Sequence, residues 1–398
     1  MEHKERKLAK RIDMPGRARC FTDPVYEEKC DNPMDVWKRI HEAQKAFYPE
    51  PSEYNIYFGD IHGHTKCSDG TPTLDEYYTS LRDVAKLDFG AATDHDHGGV
   101  GKDPLWCGNW ELVKEKAAQY NAPGKFTTIL AYERDSYPWY NNLIVYYDNY
   151  EGELLRGEHD GEMTREELRS WLNREDLLLV PHDTGMLSSG TDFNSLELED
   201  MTSLIQVYSR KTHQERFDPA FLCGSACEGG FWQDALKRGA KMGAMASTDD
   251  HWGRCGLILE DKDFLVTYPG ISGVLAKENT LPAIFEALKA RRCYAFMGGK
   301  IYMDFRINGH YMGEEFTTNE DRSIYYKIEA DGEIESITVV KNCRDYVIIQ
   351  HDKELVFFDY SQENETDYYY LRVKLKDGRL AWSSPIWVSK EQGSNLSK

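Results

Sequence analysis

The sequence holds histidines and carboxylates at spacings that suit metal ions. His62-Gly63-His64 comes first, with Asp69-Gly70 in the same short loop. Alternate residues of an extended segment face one side, so both imidazoles can meet one ion. Farther along stand Asp94-His95-Asp96-His97, Glu133, His182 and Asp249-Asp250-His251. Imidazole and carboxylate together suit zinc, manganese or iron. The candidate metal ligands are therefore His62, His64, Asp69, His95, Glu133, His182, Asp249 and His251. Asp69 has a plainer role open to it, capping the next turn. His97 is expected beside the ligands or facing solvent, and Asp94 is expected to orient an imidazole. His159, His213, His310 and His351 read as hydrogen-bonded core histidines. Arg254 follows His251 by three residues and could grip a substrate phosphate bidentately; a surface arginine is the competing reading.

These residues need elements to carry them. Strand-like runs fall at 55–61, 89–93, 126–132, 143–147, 177–180, 203–208 and 241–246, with helical stretches near 73–86, 109–121, 163–173 and 227–239. Repeated strand–helix order predicts a parallel sheet with helices outside, and seven strands suggest a barrel. In such a barrel, working residues sit at the carboxyl ends of strands. Five separate strand ends here deliver a metal-type residue. Residues 280–292 read as one amphipathic helix. From about 293 the chain alternates with period two and carries the turns Asn308-Gly309, Asp331-Gly332 and Asp377-Gly378, which predicts an antiparallel β module, a small sandwich. The expected division is an N-terminal arm at 1–53, a barrel at 54–292 and the β module at 293–398. The stretch AWSSPIWV (381–388) alternates poorly, so it is expected to be buried on both faces or packed on the barrel.

Composition narrows the classes. The chain has 398 residues and a formal net charge of −20, which disfavours a nucleic-acid phosphate backbone as partner. Residues 1–20 are charged and show no apolar signal core, and no run approaches the roughly 20 apolar residues of a membrane span. The nine cysteines are scattered and odd in number, with no CxxC pair. Cys223 and Cys227 could meet on a helix, though buried free thiols are the preferred reading. A cytoplasmic location with no membrane association is the expectation. There is no G-x-S-x-G elbow, and Gly98-Gly99 and Gly298-Gly299 lack a phosphate-loop context.

The segments YFGDIHGHTKCSDG, LDFGAATDHD, VPHD and ASTDDH resemble, in order, the motifs of the PHP superfamily (polymerase and histidinol phosphatase). The first of them, with AIFEALKARRCYA and LAWSSPIWV, is similar to the DUF3604 group of PHP-type proteins, over about 54–390. The resemblance implies a distorted seven-stranded (β/α) PHP-type barrel holding two to three divalent ions of zinc, manganese or iron. It also implies three positions: His62, His64, Glu133 and Asp249 at the first; a bridging Glu133 with His182 at the second; Asp69, His95 and His251 at the third, with Asp249 open to sharing. One departure stands out. The family supplies a further histidine at the fourth strand, and here the stretch is Tyr140-Asn141-Asn142, which leaves the second position short of a ligand. The implied activity is a metal-dependent phosphoesterase acting on a small phosphorylated substrate. Two ions about 3.5–4 Å apart can hold a bridging hydroxide and clamp the attacking and leaving oxygens. Hydrolysis of an amide or lactone, or non-catalytic binding of metal or glycan, remains an open alternative.

Overall fold

The computed structural model describes residues 47–97, 103–135, 139–155, 163–187, 189–217, 226–260 and 266–391. Most of the expected arm, His159 and Cys223 lie outside them. The chain divides into two compact units, one of Glu53–Lys300 with Arg379–Ser384, the other containing Ile301–Gly378 and the segment from Pro385.

The first unit contains strands β1 (Asn55–Asp60), β2 (Phe89–Gly90), β3 (Thr127–Thr128), β4 (Leu130–Asp135), β5 (Asn142–Tyr147), β6 (Leu177–Pro181), β7 (Leu204–Tyr208) and β8 (Gly243–Ala246), then β9 (Leu259–Glu260), β10 (Val266–Thr267), β11 (Gly270–Ala276) and β12 (Cys293–Met297). Between them run α1 (Leu74–Thr79), α2 (Asn109–Tyr120), α3 (Arg165–Leu172), α4 (Trp232–Lys237) and α5 (Leu281–Lys289). Local chemistry starts the helices. Thr73 with Glu76, and Thr164 with Glu167, form capping boxes ahead of α1 and α3. In α5, Leu281, Ile284, Phe285 and Leu288 recur at helical spacing and are buried.

The sheet is mixed, which corrects the expectation of a parallel one. β1, β2 and β3 pair in parallel, as do β7 and β8. β5, however, runs antiparallel between β4 and β6. A parallel crossover needs a dozen or more residues, and the link between β4 and β5 spans only 136–141. On the other side of β1, β11 and β12 add antiparallel strands.

One apolar core fills this unit. Ile129 and Ala131, Ile144 and Tyr146, Leu178 and Val180 enter it in alternate positions along their strands, and α5 packs against the same cluster. Each such buried aliphatic side chain contributes on the order of 1.5–3 kcal/mol.

The second unit is β-rich. Strands β13 (Ile301–Ile307), β14 (His310–Tyr311), β16 (Arg322–Ala330) and β19 (Glu354–Asp359) make one sheet in the order β14-β13-β16-β19. β17 (Ile334–Lys341) pairs with β18 (Arg344–Ile349) and β20 (Thr366–Leu375). β22 (Ile386–Ser389) continues from β20, and β15 (Glu315–Thr317) joins β22 in parallel.

The AWSSPIWV stretch is cut in two. Its first half is β21 (Leu380–Ser383), which pairs with β12 in the first unit, whereas Ile386–Ser389 pairs with β20 in the second. This grouping differs from the sequence division at 292–293, because period-two texture does not say which sheet a strand joins.

Candidate metal centre

The strands of the first unit change character along one row of side chains. Ile129, just before β4, and Ala131 on it are buried and followed at the same parity by Glu133; on β6, Leu178 and Val180 are followed by His182. Past β8, Met245 leads through Ser247 to Asp249, and on β7 Leu204 leads to Gln206. Because alternate positions share a face, the apolar interior ends in a polar layer.

Beyond β1, close packing dictates glycine between the two histidines: a Cβ at Gly63 would collide with the side chains of Cys255 and Tyr77. One at Gly70 would collide with the backbone of His64. Asp94 was expected to orient an imidazole, and the structure corrects this. Its carboxylate accepts hydrogen bonds from the N–H groups of Thr65 and Ser68 at 2.7 and 3.0 Å and from their hydroxyls at 2.7 and 2.6 Å. It therefore staples the loop that leads to Asp69. The imidazole of His62 meets Gln206 instead, Nδ1 to Oε1 at 2.9 Å. A polar residue at an interior position of an otherwise apolar run was the sequence signal for Gln206.

All eight residues expected as ligands converge. Nε2 of His62 and of His64 each lie 3.2 Å from Glu133 Oε2, and 3.6 and 3.3 Å from Asp249 Oδ1. Four ligand atoms bonded at about 2.1 Å to a tetrahedral ion would be about 3.4 Å apart. His182 Nε2 is 2.8 Å from Glu133 Oε1, so the two oxygens of Glu133 face different histidines. Asp69 Oδ1 stands 3.3 Å from His251 Nε2 and 3.7 Å from His95 Nε2, and the ring of His64 stacks on His251 and His95 with centroids 4.0 and 4.4 Å away. Four overlapping sets of three or four such residues follow: His64, Asp69, His95 and His251; His62, His64 and Asp249; His62, Glu133 and His182; His182, Asp183 and Asp249.

The residues present fit divalent ions on a direct observation. Both nitrogens of His64, Nδ1 of His95 and Nδ1 of His182 are buried without a hydrogen-bond partner among the described residues. Buried imidazole nitrogens are ordinarily satisfied, so these call for a ligand. Charge points the same way. Burial alone would raise the carboxyls of Glu133 and Asp249, yet the surrounding histidines, with Lys211 at Asp249, hold both well below their usual range. Burial alone would lower His64, but Asp249 and Glu133 lift it to about 10; at His182 burial is likewise overcome, chiefly by Glu133, and the ring also reaches about 10. At His95 and His251 burial prevails and lowers them. Without ions the inner imidazoles hold protons that a metal would displace.

Sequence reasoning missed Asp183 and Lys211. Asp183 follows His182 and, like Asp249, adopts a left-handed backbone, with φ of 51° and 57°. Lys211 Nζ lies 2.6 Å from Asp249 Oδ2 and 3.1 Å from Asp183 Oδ2. Of the other histidines, His97 stacks on His95 at 4.9 Å, whereas His213 packs on Trp382 and joins none of the sets above. Tyr140 and Asn141, where the extra histidine was sought, turn to the carbonyls of Asp200 and Gly190. Arg254 lies over the ring of Trp252 at 4.9 Å and reaches Asp250 at 3.3 Å, with part of its side chain open to solvent. Cys227 sits ahead of α4, not on it.

An α/β unit with clustered histidines and carboxylates at its strand ends presents a candidate metal centre. Residues 76–220 match the family described as "Protein of unknown function (DUF3604)". An uncharacterized protein of Chlamydia pneumoniae is 23% identical over 84% of this chain and 57% of its own length. One from Chlamydia trachomatis is 22% identical with the same coverage, so the chain spans 57% of the length of these relatives. A two-domain protein from Bacteroides vulgatus, described as containing a predicted PHP-like metal-dependent phosphoesterase, superposes with a TM-score of 0.45 at 14% identity, over 86% of this chain and 97% of that one.

Proposed function

We propose that this chain is a metal-dependent hydrolase of phosphoester bonds on a small substrate, with His62, His64, Asp69, His95, Glu133, His182, Asp249 and His251 as ligands. One observation carries this: the strand ends bring these residues together with buried imidazole nitrogens that make no hydrogen bond among the described residues. Bound dications would supply Lewis acidity and a nucleophile at neutral pH. The chain's own groups do the rest. Glu133 offers one oxygen to each side of the cluster, Gln206 holds His62 in orientation, and Asp94 braces the loop bearing Asp69. Arg254, half-open beside His251, is assigned to the phosphate oxygens. The ions are zinc, manganese or iron.

We further infer that the first unit closes as a distorted seven-stranded barrel. Parallel bridges between Gly63 and Asp250 and between His95 and Glu133 support it, because they link β8 to β1 and β2 to β4.

Metal-loaded protein assayed on p-nitrophenyl phosphate, its bis ester, a carboxylic ester and a lactone tests the function. Release from a phosphate ester, abolished by chelator and restored by manganese or zinc, is expected. Turnover of the lactone or carboxylic ester alone would replace phosphoester with another bond.

A further inference from the structure

One ligand set, that of His182, Asp183 and Asp249, poses a question of charge. The cluster contains four carboxylates: Asp69, Glu133, Asp183 and Asp249. Two dications neutralise them. The set His182, Asp183 and Asp249 would nominally take another ion, and His182 Nδ1 points into it, buried and without a hydrogen bond among the described residues, 3.7 Å from Asp183 Oδ2 and 4.0 Å from Asp249 Oδ2. Those same two oxygens already face a cation, the ammonium of Lys211, at 3.1 and 2.6 Å.

The backbone aims that ammonium. Lys211 sits in a tight turn after β7, where Ser209 N–H donates to the Thr212 carbonyl and Lys211 N–H to the Ser209 hydroxyl. Arg210 N–H donates to the Thr248 carbonyl, so the turn is tied to the segment that bears Asp249. Asp183 and Asp249, both with left-handed backbone, hold the two carboxylates that meet the ammonium. Metal–oxygen bonds are about 2.0–2.2 Å, so an ion held by Asp249 Oδ2 would lie within about 5 Å of the ammonium. Two positive centres would then share two carboxylates at close range.

We propose that Lys211 supplies the third cation of this centre: its ammonium takes the place of an ion among His182, Asp183 and Asp249, and the centre binds two metal ions. This rests on the metal-centre reading above and not on the bond hydrolysed. The side chain of Lys211 is 41% exposed, which leaves its ammonium able to meet an anionic substrate as well.

Equilibrium dialysis of the full chain against saturating manganese, with metal and protein measured together, tests the inference. Two ions per wild-type chain are expected. Lys211→Met should bind three, Lys211→Arg two, and Lys211→Met combined with Asp183→Asn two again. Three ions on the wild type, or two on a folded Lys211→Met, would overturn it. Should Lys211→Met not fold, anomalous scattering from manganese-soaked wild-type crystals decides. Two peaks, at His62/His64 and at Asp69/His95/His251, support the assignment; a peak between His182, Asp183 and Asp249 refutes it. Two ions with no hydrolysis would keep this inference and sink the proposed function. Three ions with hydrolysis would do the reverse.

Discussion

Two buried charged clusters, one in each unit, differ in how their polar atoms are satisfied. In the β-rich unit, Asp359 accepts from Lys341 at 2.8 Å, Tyr346 at 2.8 Å, Tyr369 at 2.9 Å and both the N–H and hydroxyl of Ser361 at 2.8 and 2.7 Å. Lys341 in turn donates to the carbonyl of Ser361 at 2.8 Å. Nearby Asp367 accepts from Asn342 and from the N–H groups of Glu363 and Asn364. Donors and acceptors match within the protein. In the first unit, imidazole nitrogens have carboxylates near them at distances that suit an intervening ion. Buried charge alone does not mark a functional site; buried charge whose partners are missing does.

The largest way to break this comparison is Glu133→Gln. Even groups that only orient a metal ligand cost about 10–100-fold when removed, so a residue offered to two sides of the cluster should cost more than about a hundredfold in rate. Metal content should fall with it. Full metal occupancy in this variant would show that Glu133 holds no ion.

Lys341→Met probes the satisfied cluster. It strands the Asp359 carboxylate, and breaking a buried pair costs about 3–5 kcal/mol. Denaturant unfolding should register that loss with metal stoichiometry unchanged. A loss of metal would mean that the two clusters are not independent.

Acidity separates them more gently. In metal-free protein, His64 and His182 are raised from 6.5 to about 10, so their stabilisation is complete below pH 6.5 and lost as pH rises through 10. For Asp359, burial opposes ionisation, but Lys341 and Ser361 keep its carboxyl below the usual value, so its contribution is present above that value and lost on acidification. Melting temperatures of chelated protein should therefore fall from pH 6 to pH 10, and metal loading should remove that fall. A chelated protein equally stable at both pH values would contradict the assigned charges.

The smallest effect is expected at His213, buried against Trp382 and outside every ligand set. His213→Ala should keep the wild-type metal count, at some cost in melting temperature. A fall in metal count would place His213 in the centre.

Much of this was legible in the sequence. The strand-like runs at 55–61, 143–147, 177–180, 203–208 and 241–246 all coincide with strands, and the ligand types at their ends could be read because parity and motif are local properties. What the sequence could not show depends on contacts far apart in the chain. The reversal of β5 follows from pairing with β4 and β6; the return of β21 to β12 spans more than eighty residues. Asp94 bonds the Thr65–Ser68 loop instead of an imidazole, and Lys211 meets Asp249 and Asp183 across separate strand ends. A residue's type and parity say what it can donate or accept and which face it shares; only the closed fold decides which partner stands opposite, because that choice is made by long-range packing.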